Sequence, residues 1–483
     1  MRRYKNNISD RAHMARLLKK GLLVLALFAL VWLAVIIWWQ ESRTLPTGVD
    51  IGLYLFALPL ALLGALWLGA RAVRAARAPK PQPVAVMDTP QQATASVAEL
   101  RIVAVAARAG AGADAASIAQ ALMEQQRPEL DTELKTLQGY PVFAARVPLL
   151  NDDELYAAAR ERGAHADALG TAGLRVTAML ADIAATLTDE AHRRVTQLDV
   201  PARDEDWPLL RFDILLPASW SPPARERART QVLAAAGVWP DSRVAATEHA
   251  ARDAMAGDTL LRELAATSSD DPATPTWRIV LAGDGYIDQD QVARWDADAS
   301  LLTHANPQGR VPGEAAAGVL LSLARNAAPA TANADTGKNA AFDTTPELLV
   351  AFSPIAQRTK PADARGAAPE PALAELARDL VERTATAPDS VVHVVSDADH
   401  RGSRPLEALG VASQLFSHLD ASKDCHAVGV ACGHTGVAAS LLTLAVAGEA
   451  CMQSDQPVLT LTLQDPALRC ASLVYRPAAS TTA

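Results

Sequence analysis

The sequence predicts an α/β protein, with a pair of membrane-spanning helices at the N-terminus followed by a globular module. Three observations carry that reading. Two apolar runs, 21–39 and 51–70, stand in series near the start, each close to the ~20 residues a helix needs to cross a bilayer. After residue 98, short apolar runs alternate with Ala-rich helical stretches, the pattern of a sheet covered by helices. Near the end, Cys432-Gly433-His434-Thr435-Gly436 leads into an Ala/Leu-rich run, which reads as a Gly-bounded loop opening a buried helix.

The 483 residues exceed one ordinary domain, and at 50% hydrophobic they can bury a large core. A net charge of -9 argues against a nucleic-acid surface. Aromatics are only 5%, so Ala-rich helices should cover the sheet. The four cysteines, Cys425, Cys432, Cys451 and Cys470, show no disulfide-framework spacing and read as reduced thiols in a cytoplasmic domain.

Residues 1–20 form a basic N-terminus carrying Arg2, Arg3, Lys5, Arg11, Arg16, Lys19 and Lys20, and 21–40 is the first span. The connector 41–50 holds only Arg43 as a base; the second span is placed at 51–73, and Arg71, Arg74, Arg77 and Lys80 follow its apolar run 51–70. Positive residues flank the cytoplasmic side of spans, so both ends are expected in the cytoplasm and the short loop in the periplasm. Trp38 and Trp39 fit an interfacial anchor, and Pro59 is tolerable within a membrane helix. A cleaved signal peptide is excluded by the length of the first run and by the second span behind it. The stretch 74–98, rich in Pro, Gln, Thr and Ala without periodicity, reads as a flexible tether.

The first α/β half is predicted over 99–326. A buried strand at 101–106 meets a turn at Gly110 and Gly112 and then a helical stretch to Gln125. Further strands fall at 209–217 and 277–282, with a helix at 222–236 between them. The third strand ends at Gly283-Asp284-Gly285, where Asp284 and Asp288 read as solvated loop acids. Gly309-Arg310-Val311-Pro312-Gly313-Glu314 is a turn before an apolar strand of small residues that permits close backbone approach. A linker loop is expected over 327–345. The second half, 346–478, repeats the alternation, with strands at 348–352, 391–395, 458–463 and 471–475 and helices at 371–384, 405–415 and 436–447.

The run Gly433-His434-Thr435-Gly436-Val437-Ala438-Ala439 resembles the GHT-x-x-AAG segment of β-ketoacyl synthases and the wider thiolase-like family. Gly309 to Ala316 is similar to the GxxxGEGAA segment that closes the first half of those enzymes. The resemblance, over roughly 100–476, implies a degenerate thiolase-like module of two α/β halves. It also implies what a condensing enzyme would need: a cysteine thiolate activated at a helix N-terminus, and two histidines that stabilise developing charge. No cysteine stands before Cys425. Matching 391–409 without a gap puts Ser396 where the family has its first histidine and keeps Glu407 on the family's glutamate; a gapped match would recruit His400 instead. Gly429 stands where the family has a lysine. No catalytic residue is therefore expected, and His434, Ser396, His400, Glu407 and Glu314 are candidates for a relic pocket. His434 is expected to be neutral near a helix N-terminus and to hydrogen-bond locally there. Cys425-His426 with Cys432 and His434 matches no zinc spacing, and no nucleotide loop or Gly-x-Ser-x-Gly elbow is present, so neither metal nor cofactor is expected.

The hairpin, the tether and a module lacking its nucleophile, with Glu347-Leu348-Leu349-Val350-Ala351-Phe352-Ser353-Pro354 and the Gly433 run, resemble the type VI secretion lipase adapter family. That resemblance implies a non-catalytic adapter in the bacterial inner membrane that recruits a lipase effector for the VgrG spike. The alternative is a membrane-bound acyl-condensing enzyme, or the non-catalytic partner subunit of a ketosynthase, pairing like a chain-length factor. Either reading admits a homodimer or heterodimer through the thiolase-like module.

Overall fold

The computed structural model describes residues 99–161, 169–198, 201–267, 276–322, 348–364 and 366–477, together with Trp32, Leu33, Val35, Ile37 and Trp38 of an N-terminal helix. The chain divides into two compact units, Met1–Ala95 and Ser96–Ala483. Apart from those five helical positions, the predicted hairpin, the tether and the 327–345 linker lie outside the described residues. Among the described residues one stretch is long and apolar enough to cross a membrane, Gly436–Ser454, and it is 78% buried inside the second unit. It is the core helix of the module.

The first half supplies β1 (Glu99–Ala109), a separate hairpin of β2 (Glu129–Lys135) and β3 (Pro141–Ala144), then β4 (Leu209–Pro217), β5 (Val244–Ala251), β6 (Thr276–Gly285) and β7 (Glu314–Ser322). The second supplies β8 (Leu348–Phe352), the short β9 (Ala356–Gln357), β10 (His393–Ser396), β11 (Cys425–Ala427), β12 (Val458–Thr462) and β13 (Leu468–Tyr475). The main sheet runs β5-β4-β6-β7-β1-β8-β13-β12-β10-β11. Read outward from the β1–β8 seam, the two halves have the same order and sense. β7 and β13 run antiparallel to both of their neighbours, and the other strands of each half are parallel to one another. The same strand order and sense therefore occur twice in one sheet.

The helices are α1 (Ala115–Met123), α2 (Asp152–Glu161), α3 (Gly170–Leu198), α4 (Pro222–Ala234), α5 (Ala256–Thr267), α6 (Gln289–Ala297), α7 (Ala372–Arg383), α8 (Arg404–Leu415), α9 (Val428–Cys432) and α10 (Ala439–Ser454). Helix α10 is apolar all round, and residues 439–448 are all buried, as a helix surrounded by other elements must be. It packs on β1 and β7 of the first half and on β10, β12 and β13 of the second. Strand β7 explains how the sheet can be covered on both faces: all nine of its residues are buried, and Ala315, Ala316, Ala317 and Gly318 let α3 approach from one side and α10 from the other.

Sequence reading assigned no element between 125 and 209, yet the 29-residue α3 lies there. Its Val176, Met179, Leu180, Ile183, Ala184, Leu187 and Ala191 anchor one of the large cores against β4, β6 and β7. The apolar spacing is helical, but Thr, Asp and Arg fill the other faces and no side-chain N-cap marks the start.

Candidate functional site

The parallel strands β4, β5 and β6 end on one side of the sheet, where open α/β folds place ligand crevices. Their C-terminal ends face the loop before α10 across a cleft of about 580 Å³. From the first half it is lined by Ser219, Arg252, Asp284, Tyr286 and Arg310; from the second by Asp363, Arg401, Arg404, His434 and Gln464.

His434 is delivered by backbone constraints. Gly433 (φ 68°) and Gly436 (φ 50°) take left-handed conformations that turn the chain on either side of it, and its N–H donates to the Val311 carbonyl at 2.8 Å. The ring packs against Tyr286 at 4.9 Å and Trp295 at 5.8 Å between centroids. Burial, with Arg310, Arg401 and Arg404 nearby, holds the imidazole pKa well below its ordinary value, so the ring is neutral. The expected local hydrogen bond is not formed at Nδ1, which has no partner among the described residues. Aromatic packing positions this side chain instead.

The short turn Gly436–Ala438 that leads into α10 is held by Asp284. Its carboxylate accepts from the Val437 N–H at 3.0 Å, the Gly285 N–H at 2.9 Å and the Tyr286 hydroxyl at 2.9 Å. Burial raises its pKa to about 6 against those hydrogen bonds. The expectation of a solvated loop acid is corrected: Asp284 is 5% exposed and closes the junction between β6 and the α10 entry. The glycines on either side of Asp284 were the available signal, because they mark a place where another backbone comes close. Asp288 instead caps α6, accepting from the Gln291 N–H at 3.0 Å.

The other four sequence candidates do not line the cleft. Ser396 is buried at the end of β10, donating to the His426 carbonyl at 3.3 Å. His400 leaves Nε2 unpartnered among the described residues, outside the cleft lining. Glu314 is fully buried, bridged by Arg175 at 2.6 and 2.8 Å and by the Val147 N–H at 2.7 Å. Glu407 on α8 accepts from Arg469 at 2.7 Å and Ser403 at 2.6 Å and pairs with Arg358. Both glutamates are structural anchors. Gly429 has a steric reason: a Cβ there would lie 2.6 Å from the Asp397 carbonyl oxygen and 2.7 Å from that of Ala398, so no lysine fits this backbone.

Helix α5 follows the C-terminal end of β5 and begins beside the cleft. The chain there reads Arg252-Asp253-Ala254-Met255, and Met255 is buried. No cysteine lines the cleft. Burial pushes the Cys432 thiol up to about 12 and those of Cys425 and Cys451 to about 11, the opposite of an activated thiolate. Among the described residues no three His, Cys, Asp or Glu side chains cluster as a metal site would require.

No protein-family model and no curated protein matches the sequence. Solved structures do match the fold. The chain is similar to the ishigamide ketosynthase/chain length factor, with a TM-score of 0.50 and 15% identity over 79% of this chain and 99% of that one. It is also similar to the ketosynthase from module 6 of the bacillaene synthase from Bacillus subtilis 168, with a TM-score of 0.50 and 12% identity over 79% of this chain and 72% of that one. The globular module therefore has a mixed α/β, thiolase-like fold of the ketosynthase type.

Proposed function

We propose that the protein is a membrane-anchored, non-condensing member of this fold that works by binding another protein, with a ketosynthase-type enzyme as the partner. The observation that carries the reading is the cleft wall at the α5 entry: Arg252, Asp253 and Ala254 line it, buried Met255 follows, and no cysteine is among the lining residues. A methionine thioether can neither be deprotonated nor form an acyl thioester. The fold likeness to a ketosynthase/chain length factor spans 99% of that chain, which favours a ketosynthase subunit over a lipase effector and the VgrG spike. Nothing in the fold comparison supports the secretion-adapter reading.

The test is capture of partners by the tagged full-length chain from detergent-solubilised membranes, followed by mass spectrometry. Recovery of a ketosynthase-type subunit in comparable amount is expected. Recovery of a lipase with a spike protein instead would transfer the module to the adapter reading. The anchoring is part of the proposal and rests on the two apolar runs and their basic flanks. Alkaline phosphatase fused at Ala483 should be inactive, because the module faces the cytoplasm; an active fusion contradicts that orientation.

A further inference from the structure

We infer that the cleft binds a small organic carboxylate, with Arg310 as its counter-ion and Gln464 pairing an amide next to it. Gln464 is 3% exposed and lines the cleft, yet neither its Nε2 nor its Oε1 has a partner among the described residues. Its backbone is held at both ends, the N–H donating to Asp397 at 2.9 Å and the carbonyl accepting from Arg404 at 3.0 Å, so the residue is anchored at the cleft wall. A buried amide left unpaired is costly. A donor and an acceptor side by side complement a secondary amide.

The charges of the cleft are unequal in their pairing. Arg401 holds Asp399 at 2.7 Å and Arg404 holds Asp363. Asp253 and Asp465 accept from the backbone N–H groups of Met255 and of Ala467 and Leu468, and Asp284 already accepts three hydrogen bonds. Neither Arg252 nor Arg310 has a carboxylate within ion-pair distance among the described residues; Arg252 is exposed, whereas the half-buried Arg310 guanidinium lies over the Trp295 ring, 5.5 Å from the centroid. The same aromatic wall carries His434, whose Nδ1 is unpaired. Cations without a carboxylate partner and an unpaired amide in the walls of one cleft select an anion that also carries an amide and disfavour a cation. The volume suits such a ligand.

The inference rests on the proposed absence of acyl transfer in the cleft, but it fails separately, since partner capture and acylation are read in other assays. The probe is N-acetylglycine, followed by saturation-transfer NMR on the full-length protein in detergent, with N-acetylglycinamide as the uncharged control. Losing one charge-assisted contact weakens binding by about tenfold or more. N-acetylglycinamide should bind at least that much more weakly, Arg310→Met should lose N-acetylglycine to the same degree, and Arg310→Lys should recover part of it. Gln464→Leu should reduce affinity for N-acetylglycine to that for acetate. Circular dichroism of each variant verifies the fold. Absence of N-acetylglycine binding to the parent, equal binding of acid and amide, or an Arg310→Met variant that is folded and binds like the parent would each overturn the inference.

Discussion

Arg175→Met is expected to destabilise the globular module by about 3–5 kcal/mol, the usual cost of stranding a buried charge. Arg175 is fully buried on α3. It binds Glu314 at 2.8 and 2.6 Å, the carbonyls of Leu150 and Val147 at 2.8 and 3.0 Å, and Asp152 at 2.7 Å. Burial works against its charge, but the bonds and charge of Glu314 and Asp152 more than offset it, so its pKa stands above the ordinary arginine value. Methionine keeps much of the packing and leaves the Glu314 carboxylate fully buried without its counter-ion. A fall in melting temperature of roughly 4–6 °C should follow for a unit of this size. The double variant Arg175→Met with Glu314→Gln should recover part of the loss, because the charge left behind is then removed. A single variant melting within a degree of the parent would show that the pair holds nothing together.

Glu407→Gln should have an effect of similar size, about 3–5 kcal/mol, for the complementary reason. Here one carboxylate serves two buried guanidiniums. Arg469 and Arg358 are 1% and 5% exposed, and both are tied by Glu407 to the first turn of α8. Arg358 also holds the carbonyls of Lys360 at 2.9 Å and Ala368 at 2.8 Å, in the segment that brings Asp363 to the cleft. An isosteric amide keeps the shape and removes the charge, leaving the arginines with only neutral acceptors and the distant edge of Glu370 at 3.5 Å. Thermal melting reads the result. Limited proteolysis should show earlier cleavage near 358–370 than in the parent, and an unchanged cleavage pattern would argue against this tie.

What was legible in the sequence was local. Strands β4 and β8 begin and end where alternation and flanking turn residues place them, because propensity and burial agree there. The α10 entry was visible from its glycines. The site was less legible, because its members come from distant segments. Arg310 looked like a turn residue, Arg401, Arg404 and Gln464 lie in loops or at a helix start, and only the fold gathers them around His434. Glu314 and Glu407 were drawn toward the site by motif likeness. The structure puts both on buried arginines, which no spacing along the chain reveals. Asp284 shows the same limit from the other side: a charged residue in a strand-end loop reads as solvated until the turn it holds arrives from 153 positions away.

The central claim is that the cleft performs no condensation, and the direct measurement is intact-mass analysis of the full-length protein after incubation with acyl-carrier thioesters. The account predicts an unmodified mass and no carbon dioxide release from added malonyl thioester, because no cysteine lines the cleft and desolvation raises the thiol pKa values of Cys425, Cys432 and Cys451. A stable acyl adduct, mapped to any residue of the cleft, would contradict it and return the protein to the condensing enzymes.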